Sequence, residues 1–406
     1  MRVMGYWKDR QIIEHEQGWS MTDHWICSDC LDEPVLKEAV DNATDADEEC
    51  AFCGTSPAAP LDVVMELFAK GIRHLYDRTV AVLFWADDVT PTTSTDEIVW
   101  EFADVFKNNE ALIEVVLDSM GYEEWVATDF VVPHPGDAMM YAWEQFCHAV
   151  KFQTRYVIWL RPPGPYDGEG GQVPVAQILN RVADVIEEFG LVKEHDAATL
   201  WWRAQPHDTT TIDHTPGRLG TVPVQLAQQP NRMSPAGIPM FYGAVNPTTA
   251  VAEVASPSVG AATNFVTYAR FLTSRQTRVL DLTHLAPVPS IFDPHNWHLY
   301  DKLQFLHRFV SQLSSKATPD WEAVDYVPTQ VLTEFFLRVY GQPDQPLDGI
   351  VYTSATTGDP CVVLDVTNQR CVHQDPGWPT ATDAELLLGL DTASIQTQEM
   401  VPPPTV

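Results

Sequence analysis

From Leu61 to Tyr76 the apolar residues Leu61, Val64, Met65, Phe68, Ile72 and Leu75 recur at intervals of three and four, the spacing that lines one face of an α-helix. The same periodicity predicts helices near residues 96–120, near 138–152 (Met140, Trp143, Phe146, Val150) and over 174–189, where Gly190 stands ready to cap the last turn. Val80 to Trp85 is a short apolar run of buried character, and the first 190 residues read as mostly helical. After residue 195 the pattern changes to short apolar runs, which predict strands at Leu200 to Arg203, Pro239 to Val245, Val279 to Leu282, Ile350 to Thr353 and Val362 to Val366. Helices are predicted between them at Pro247 to Ala255, Trp297 to Leu313 and Thr329 to Tyr340. The Gly/Pro-rich stretch 161–173 reads as a loop, and it lacks the Gly-Lys-Ser/Thr of a phosphate-binding loop. No internal repeat interrupts this order, and the Pro/Thr-rich end after Asp375 predicts a frayed tail.

Composition narrows the function. With 45% hydrophobic and 20% charged residues among 406, the chain buries real cores and is not a disordered acidic protein. Its 24 Lys and Arg against 56 Asp and Glu leave a net charge of −32, which repels nucleic acid and anionic lipid, so no direct nucleic-acid or membrane partner is expected. No apolar run approaches the roughly 20 residues of a membrane span, and the first residues lack the apolar core of a secretory signal. The expected location is the cytoplasm.

Seven cysteines suit that compartment without forming a disulfide framework. Cys27, Cys30, Cys50 and Cys53 form two Cys-x2-Cys pairs with nineteen residues between them, the spacing of a structural Zn2+ site. Each pair brings two thiolates to ~2.3 Å from one ion, and four sulfurs close a tetrahedron with no position left for water. The loop between the pairs is rich in Asp and Glu, so the module is a poor grip for a phosphate backbone.

Against the acidic whole, residues 201–280 carry six arginines (Arg203, Arg218, Arg232, Arg270, Arg275, Arg278) and three acids, Asp208, Asp213 and Glu253. Arg forks bind phosphate or carboxylate bidentately, so this island suits a small anionic ligand; equally, several of the arginines would pair with acids elsewhere. Within it Gly237 to Val245 reads as a turn and a strand, followed by Asn246 at an N-cap, Pro247 at the first helical position, and a helix carrying Glu253. Thr249 and Ala250, the face neighbours of Glu253, are small and leave its carboxylate room.

Three blocks, TLWWRAQ (199–205), NRMSPAGIPMFYGAVNPTTAVAEV (231–254) and YVPTQVLTEFFLRVYGQPDQPLDGIVYTS (326–354), together resemble the RES domain, named for an Arg, a Glu and a Ser. The resemblance spans about residues 195–370, and the part before it is similar to the HEPN/RES N-terminal domain. Members of the family are toxins of bacterial toxin–antitoxin pairs that degrade NAD+, and their fold resembles that of ADP-ribosyltransferase toxins. The resemblance therefore implies an α+β chain: a zinc-knuckle segment at 1–60, a helical HEPN/RES N-terminal domain at 61–190, a mixed α/β RES domain at 195–373 and a flexible tail at 374–406. It implies Arg203, Glu253 and Ser354 as catalytic residues, with Arg232 and Tyr242 binding substrate. The chain departs from the family in its Thr356-Thr357-Gly358-Asp359-Pro360-Cys361 turn, where members often carry a Gly-Lys-Asn-like sequence.

These residue types suit the chemistry. Cleaving the nicotinamide glycosidic bond makes the ribose oxocarbenium-like, a centre that needs a nearby carboxylate such as Glu253 and a held 2′-hydroxyl. Arg203 and Arg232 would clamp the pyrophosphate or deliver an anionic acceptor, Tyr242 would stack on the nicotinamide or ribose, and Ser354 would bond a ribose hydroxyl or phosphate. The acceptor is phosphate, water or a protein, the last being ADP-ribosyl transfer; the Arg-rich island favours phosphate as co-substrate. A different class of reading makes the helical half a HEPN-type ribonuclease and the rest a binding module. That chemistry needs Arg followed four to six residues later by His on one helix, and in the N-terminal half only Arg10 and His15 have the spacing. A zinc module that recruits a partner and regulates the RES half is compatible with NAD+ cleavage. An antitoxin or regulatory protein is the partner the family implies, and a homo-oligomer stays open.

Overall fold

The chain, seen here as a computed structural model, is described over residues 14, 17–79, 91–128, 135–160, 173–255, 263–315, 317–318, 321–374, 377–378 and 385–400. It divides into one unit of residues 1–138 and 287–304 and another of 139–286 and 305–406. The predicted run Val80 to Trp85, most of the loop at 161–173, and Arg10 and His15 lie outside the described residues.

In the first unit β1 (Trp25–Ile26) and β2 (Ala59–Pro60) pair antiparallel and close the cysteine-bearing segment at its two ends. Between them α1 (Pro34–Asp41) begins at Glu33, whose carboxylate accepts from the amide of Leu36. The run at Leu61 becomes α2 (Leu61–Leu75), with Val64, Met65, Phe68 and Ile72 fully buried, as the spacing predicts. The stretch near 96–120 is two helices, not one: α3 (Thr95–Glu101) opens with a Ser94/Glu97 capping box, and α4 (Glu110–Met120) starts at the Asn109 cap. Strands β3 (Tyr76–Arg78), β4 (Thr93–Ser94) and β5 (Glu124–Ala127) add a small sheet with β5 in the middle. Phe292 belongs to this unit's core, stacked on Phe68 with ring centroids 5.4 Å apart.

The second unit is built on a nine-stranded sheet in the order β13, β14, β9, β7, β8, β12, β11, β10, β6. In chain order the strands are β6 (Val192–His195), β7 (Leu200–His207), β8 (Phe241–Ala244), β9 (Phe265–Thr273), β10 (Thr277–Asp281), β11 (Gly349–Thr353), β12 (Pro360–Leu364), β13 (Cys371–His373) and β14 (Leu388–Glu399). The pairs β10/β11 and β13/β14 are parallel and the rest antiparallel, so the sheet is mixed and the α+β expectation holds. The helices of the chain's remainder are α5 (Pro135–Phe152), α6 (Ile178–Glu188), α7 (Pro216–Leu219), α8 (Pro247–Val254), α9 (Trp297–Ser314), α10 (Glu322–Asp325) and α11 (Val327–Arg338).

Two expectations change. The helical block drawn to residue 190 does not stay together: α6 groups with the sheet. Gly190 takes φ +58, Leu191 donates back to the Ile186 carbonyl, and the chain turns directly into β6, which ties α6 to the sheet by a three-residue connection. The tail at 374–406 is not frayed along its length, because β14 pairs with β9 from Leu388 to Glu399 around a bulge between Asp391 and Gln396. Its Pro and Thr content concealed the alternation of Leu386, Leu388 and Leu390, which are all buried. Residues 375–376, 379–384 and 401–406 of that end fall outside the description.

Candidate active site

Glu253 comes from the last turn of α8, whose start follows the local sequence: Asn246 accepts from the amide of Thr249 at 2.8 Å, and Pro247 occupies the first turn, where its missing N–H costs nothing. Thr249 and Ala250, its small face neighbours, are buried, while Glu253 itself is half-buried. Opposite this helix, Ser354 directly follows β11 and opens the turn to β12. Its hydroxyl donates to Glu253 Oε1 at 2.6 Å and accepts from the amides of Thr356 and Thr357, each at 3.1 Å. One donor and two acceptor positions are thereby all in use, so Ser354 holds Glu253 and the turn and has no valence left for a ligand. The departure at Asp359 has a structural role. Its Oδ2 accepts from Thr249 Oγ1 at 2.6 Å and from Asn246 Nδ2 at 2.9 Å, binding the turn to the N-terminus of α8. Those two hydrogen bonds, Thr249 first, hold its carboxyl below the usual value of 3.8.

Arg203 lies in β7, 9% exposed, with Nε donating to the Gly220 carbonyl at 3.0 Å and Nη1 to the Tyr242 carbonyl at 2.8 Å. Strands β7 and β8 pair only at Trp202 and Ala244, and beyond that point the guanidinium stands in for the missing ladder bonds. Alternation places Arg203 on the sheet face of Trp201 and Phe241, and its guanidinium carbon lies 5.2 Å from the Phe241 ring centroid. Among the described residues no carboxylate pairs with it, and burial lowers its pKa to about 10. Two donors of the expected pyrophosphate clamp are thus spent on backbone carbonyls. Arg232 likewise spends Nη1 on the carbonyls of Leu313 (2.8 Å) and Ser315 (2.5 Å), which satisfies the C-terminal end of α9, and lies 5.6 Å over the Tyr326 ring. Tyr242 bonds Ser234 Oγ at 3.0 Å and accepts from the Met233 amide, while burial pushes its hydroxyl up to about 12.

Residues 200–383 match the family model of the RES domain, and residues 43–163 match that of the HEPN/RES N-terminal domain 1. The chain is a RES-domain protein. No curated protein matches it. A chain from the crystal structure of the M. tuberculosis MbcT–MbcA toxin–antitoxin complex aligns at 14% identity over 54% of this chain and 92% of that one, with a TM-score of 0.26, a likeness too slight to bear on fold or chemistry.

Within the RES domain, the structure joins residues that the sequence reading kept apart. Glu253 and Ser354 meet directly, Arg203 and Tyr242 meet through a backbone carbonyl, and Arg232 adjoins Tyr242 through the Met233 amide. Two tyrosines were missed. Tyr326 and Tyr352 both feel the Glu253 carboxylate, which raises their pKa values, and the Arg232 guanidinium, which lowers them; burial is the largest influence on each and wins, so both are raised. The available signal was that Tyr352 precedes Ser354 by two residues, which puts both on one strand face. The arginine island is partly neutralised: Arg270 pairs with Asp391, and Arg275 grips Asp348 with both Nη atoms, at 3.0 and 2.7 Å. Glu253 has no cation within ion-pair distance among the described residues.

In the N-terminal part, the sulfurs of Cys27, Cys30, Cys50 and Cys53 all lie within 4.8 Å of one another, with Cys27 to Cys53 at 3.3 Å and Cys30 to Cys50 at 3.6 Å. Four sulfurs around one tetrahedral ion stand about 3.8 Å apart, so the donor set fits a metal. Burial pushes the Cys27 thiol up to about 11 and raises Cys30 as well, while a hydrogen bond with the Thr55 hydroxyl lowers Cys53 to about 6. The Arg/His pairing of a ribonuclease is not assembled on α2. Arg73 donates to the Gln17 carbonyl, and His74 stacks on Trp297 at 4.3 Å.

Proposed function

We propose that this protein cleaves the bond between nicotinamide and ribose of NAD+ and passes ADP-ribose to phosphate or water, acting as an NAD+-depleting toxin under the control of an antitoxin protein. The observation that carries this reading is Glu253, a half-buried carboxylate aimed by Ser354 and left without a cation. As the C1′–N bond breaks, its electron pair leaves with neutral nicotinamide and the ribose becomes cationic. An ionised Glu253 stabilises that cation and accepts a hydrogen bond from the 2′-hydroxyl. The acceptor oxygen then bonds C1′ and its proton passes to solvent. Ser354 positions Glu253, Asp359 positions the helix that carries it, and Arg203 holds the sheet open beside β8 while adding positive charge near Tyr242. Arg232, whose Nε and Nη2 donate to none of the described residues, is the group we assign to the phosphates, and Tyr242 to the sugar or base.

The four cysteines would hold a structural Zn2+, which fills all four positions with thiolate and takes no part in the cleavage.

The test is NAD+ consumption by purified protein, with and without phosphate, in wild type and E253A, with products resolved by mass. ADP-ribose-1″-phosphate would name phosphate as acceptor, free ADP-ribose water, and a modified chain protein. NAD+ loss that persists undiminished in E253A would sink the mechanism.

A further inference from the structure

Tyr352 is only 6% exposed, yet among the described residues its hydroxyl has no hydrogen-bond partner. A buried phenol normally finds one. Nor does its hydroxyl belong to the unpartnered side-chain atoms that are wholly sealed from solvent.

Its neighbours are fixed by the sheet. Tyr352 pairs with Cys361 of β12, and Cys361 pairs with Ala244 of β8, so alternation puts Tyr352 and Tyr242 on one face. Ser354 follows on that same face about 7 Å along the strand, and Ser354 Oγ is 2.6 Å from Glu253. The Tyr352 phenol, its donor unspent among the described residues, thus stands on the face of the Ser354 hydroxyl that holds Glu253, a carboxylate that accepts hydrogen bonds when ionised. Burial, followed by Cys361, Glu253 and Tyr242, raises the pKa of the Tyr352 hydroxyl well above its ordinary 10, against a lowering by Arg232. At neutral pH it is a donor.

We propose that Tyr352 is a substrate-binding residue of this site, donating a hydrogen bond to the ribose 2′-hydroxyl from which Glu253 accepts one. A hydroxyl is the group that matches this pair, since it gives one hydrogen bond and takes another; a phosphate or carboxylate could not donate to Glu253 and would be repelled by it. The inference rests on the NAD+-cleaving reading above and adds to it the residue that tells a hydroxylated sugar from its deoxy form.

The experiment uses the full chain, wild type and Y352F, which removes the hydroxyl and keeps the ring. Calorimetry measures binding of a non-cleavable NAD+ analogue with a methylene in place of the ribose ring oxygen, and of the same analogue lacking the 2′-hydroxyl; NAD+ turnover and thermal melting are measured on the same preparations. Y352F is expected to bind the hydroxylated analogue about 3- to 10-fold more weakly and the deoxy analogue within about 2-fold of wild type. Equal weakening of both analogues, or of neither, overturns the role of Tyr352. A wild type that neither binds the analogue nor consumes NAD+ sinks the proposed function and this inference with it. A wild type that does both while Y352F binds identically sinks only the latter.

Discussion

The Ser354 hydroxyl reaches Glu253 Oε1 across 2.6 Å while it accepts two backbone amides of its own turn. Serine and glutamate act here as one device: the turn orients the hydroxyl, and the hydroxyl orients the carboxylate. Removing the carboxylate charge with E253Q should cut NAD+ turnover by about 100-fold or more with the fold retained, because the cationic transition state loses its counter-charge. S354A should cost less, about 10-fold in kcat, together with about 1 kcal/mol of stability from the amides it leaves unpaired. Steady-state kinetics and chemical denaturation on the same samples separate the two. A larger kinetic loss in S354A than in E253Q would contradict the assigned order.

Arg203 tests whether the residue serves the substrate or the sheet. Its guanidinium bridges the Gly220 and Tyr242 carbonyls where β7 and β8 part. R203A should lower stability by about 2–4 kcal/mol through unpaired buried carbonyls and lost packing on Phe241. R203K should recover little of it, because an ammonium cannot serve both carbonyls with a rigid fork. Unchanged melting of R203A with abolished NAD+ cleavage would return Arg203 to direct substrate binding.

Asp359 predicts a dependence on pH with a definite sign. Hydrogen bonds from Thr249 and Asn246 hold its carboxyl below 3.8 in the folded state. A carboxylate depressed on folding contributes stability that is present above its unfolded value and is lost as pH falls through the folded one. The melting-temperature gap between wild type and D359A should therefore be constant from pH 7 to about 5 and narrow below about pH 4. A gap that persists undiminished at pH 3 would show that the Asp359 contacts do not depend on its charge.

The cysteine cluster should carry one Zn2+ per chain by elemental analysis of protein purified without chelator. Three of its sulfurs belong to buried residues and all four lie within 4.8 Å. C30S should remove the metal and lower the melting temperature, and chelation of wild type should do the same. NAD+ cleavage at a temperature where the RES domain stays folded should survive. Metal content near zero in wild type would refute the site.

Much of the fold was legible because it is local. The three- and four-residue spacing of Leu61 to Leu75, the Asn246-Pro247 helix start and the Gly190 stop act over one or two turns, and each appears where the spacing puts it. The same holds for the two Cys-x2-Cys pairs, since each knuckle fixes its own geometry and only one closure is needed to join them. Strand β14 and its partner β9 were missed because strand pairing is a property of two segments more than a hundred residues apart. A run such as Leu386 to Leu390 becomes a strand only when a partner supplies the other half of its hydrogen bonds.

The sequence alone determined which residue types are present and in what order, and so named Arg203, Glu253 and Ser354. Only the tertiary structure decided what each touches. Alternation in β7 turns Arg203 toward Phe241 and the carbonyls of Gly220 and Tyr242, whereas alternation in β11 brings Tyr352, unmarked in the sequence, onto the face of Ser354 and Tyr242. A hydrogen bond is a contact between atoms within about 3 Å, and the partners here are 101 residues apart for Ser354 and Glu253 and 39 for Arg203 and Tyr242. No local pattern encodes such separations; the sheet order does, by bringing β7, β8, β12 and β11 side by side.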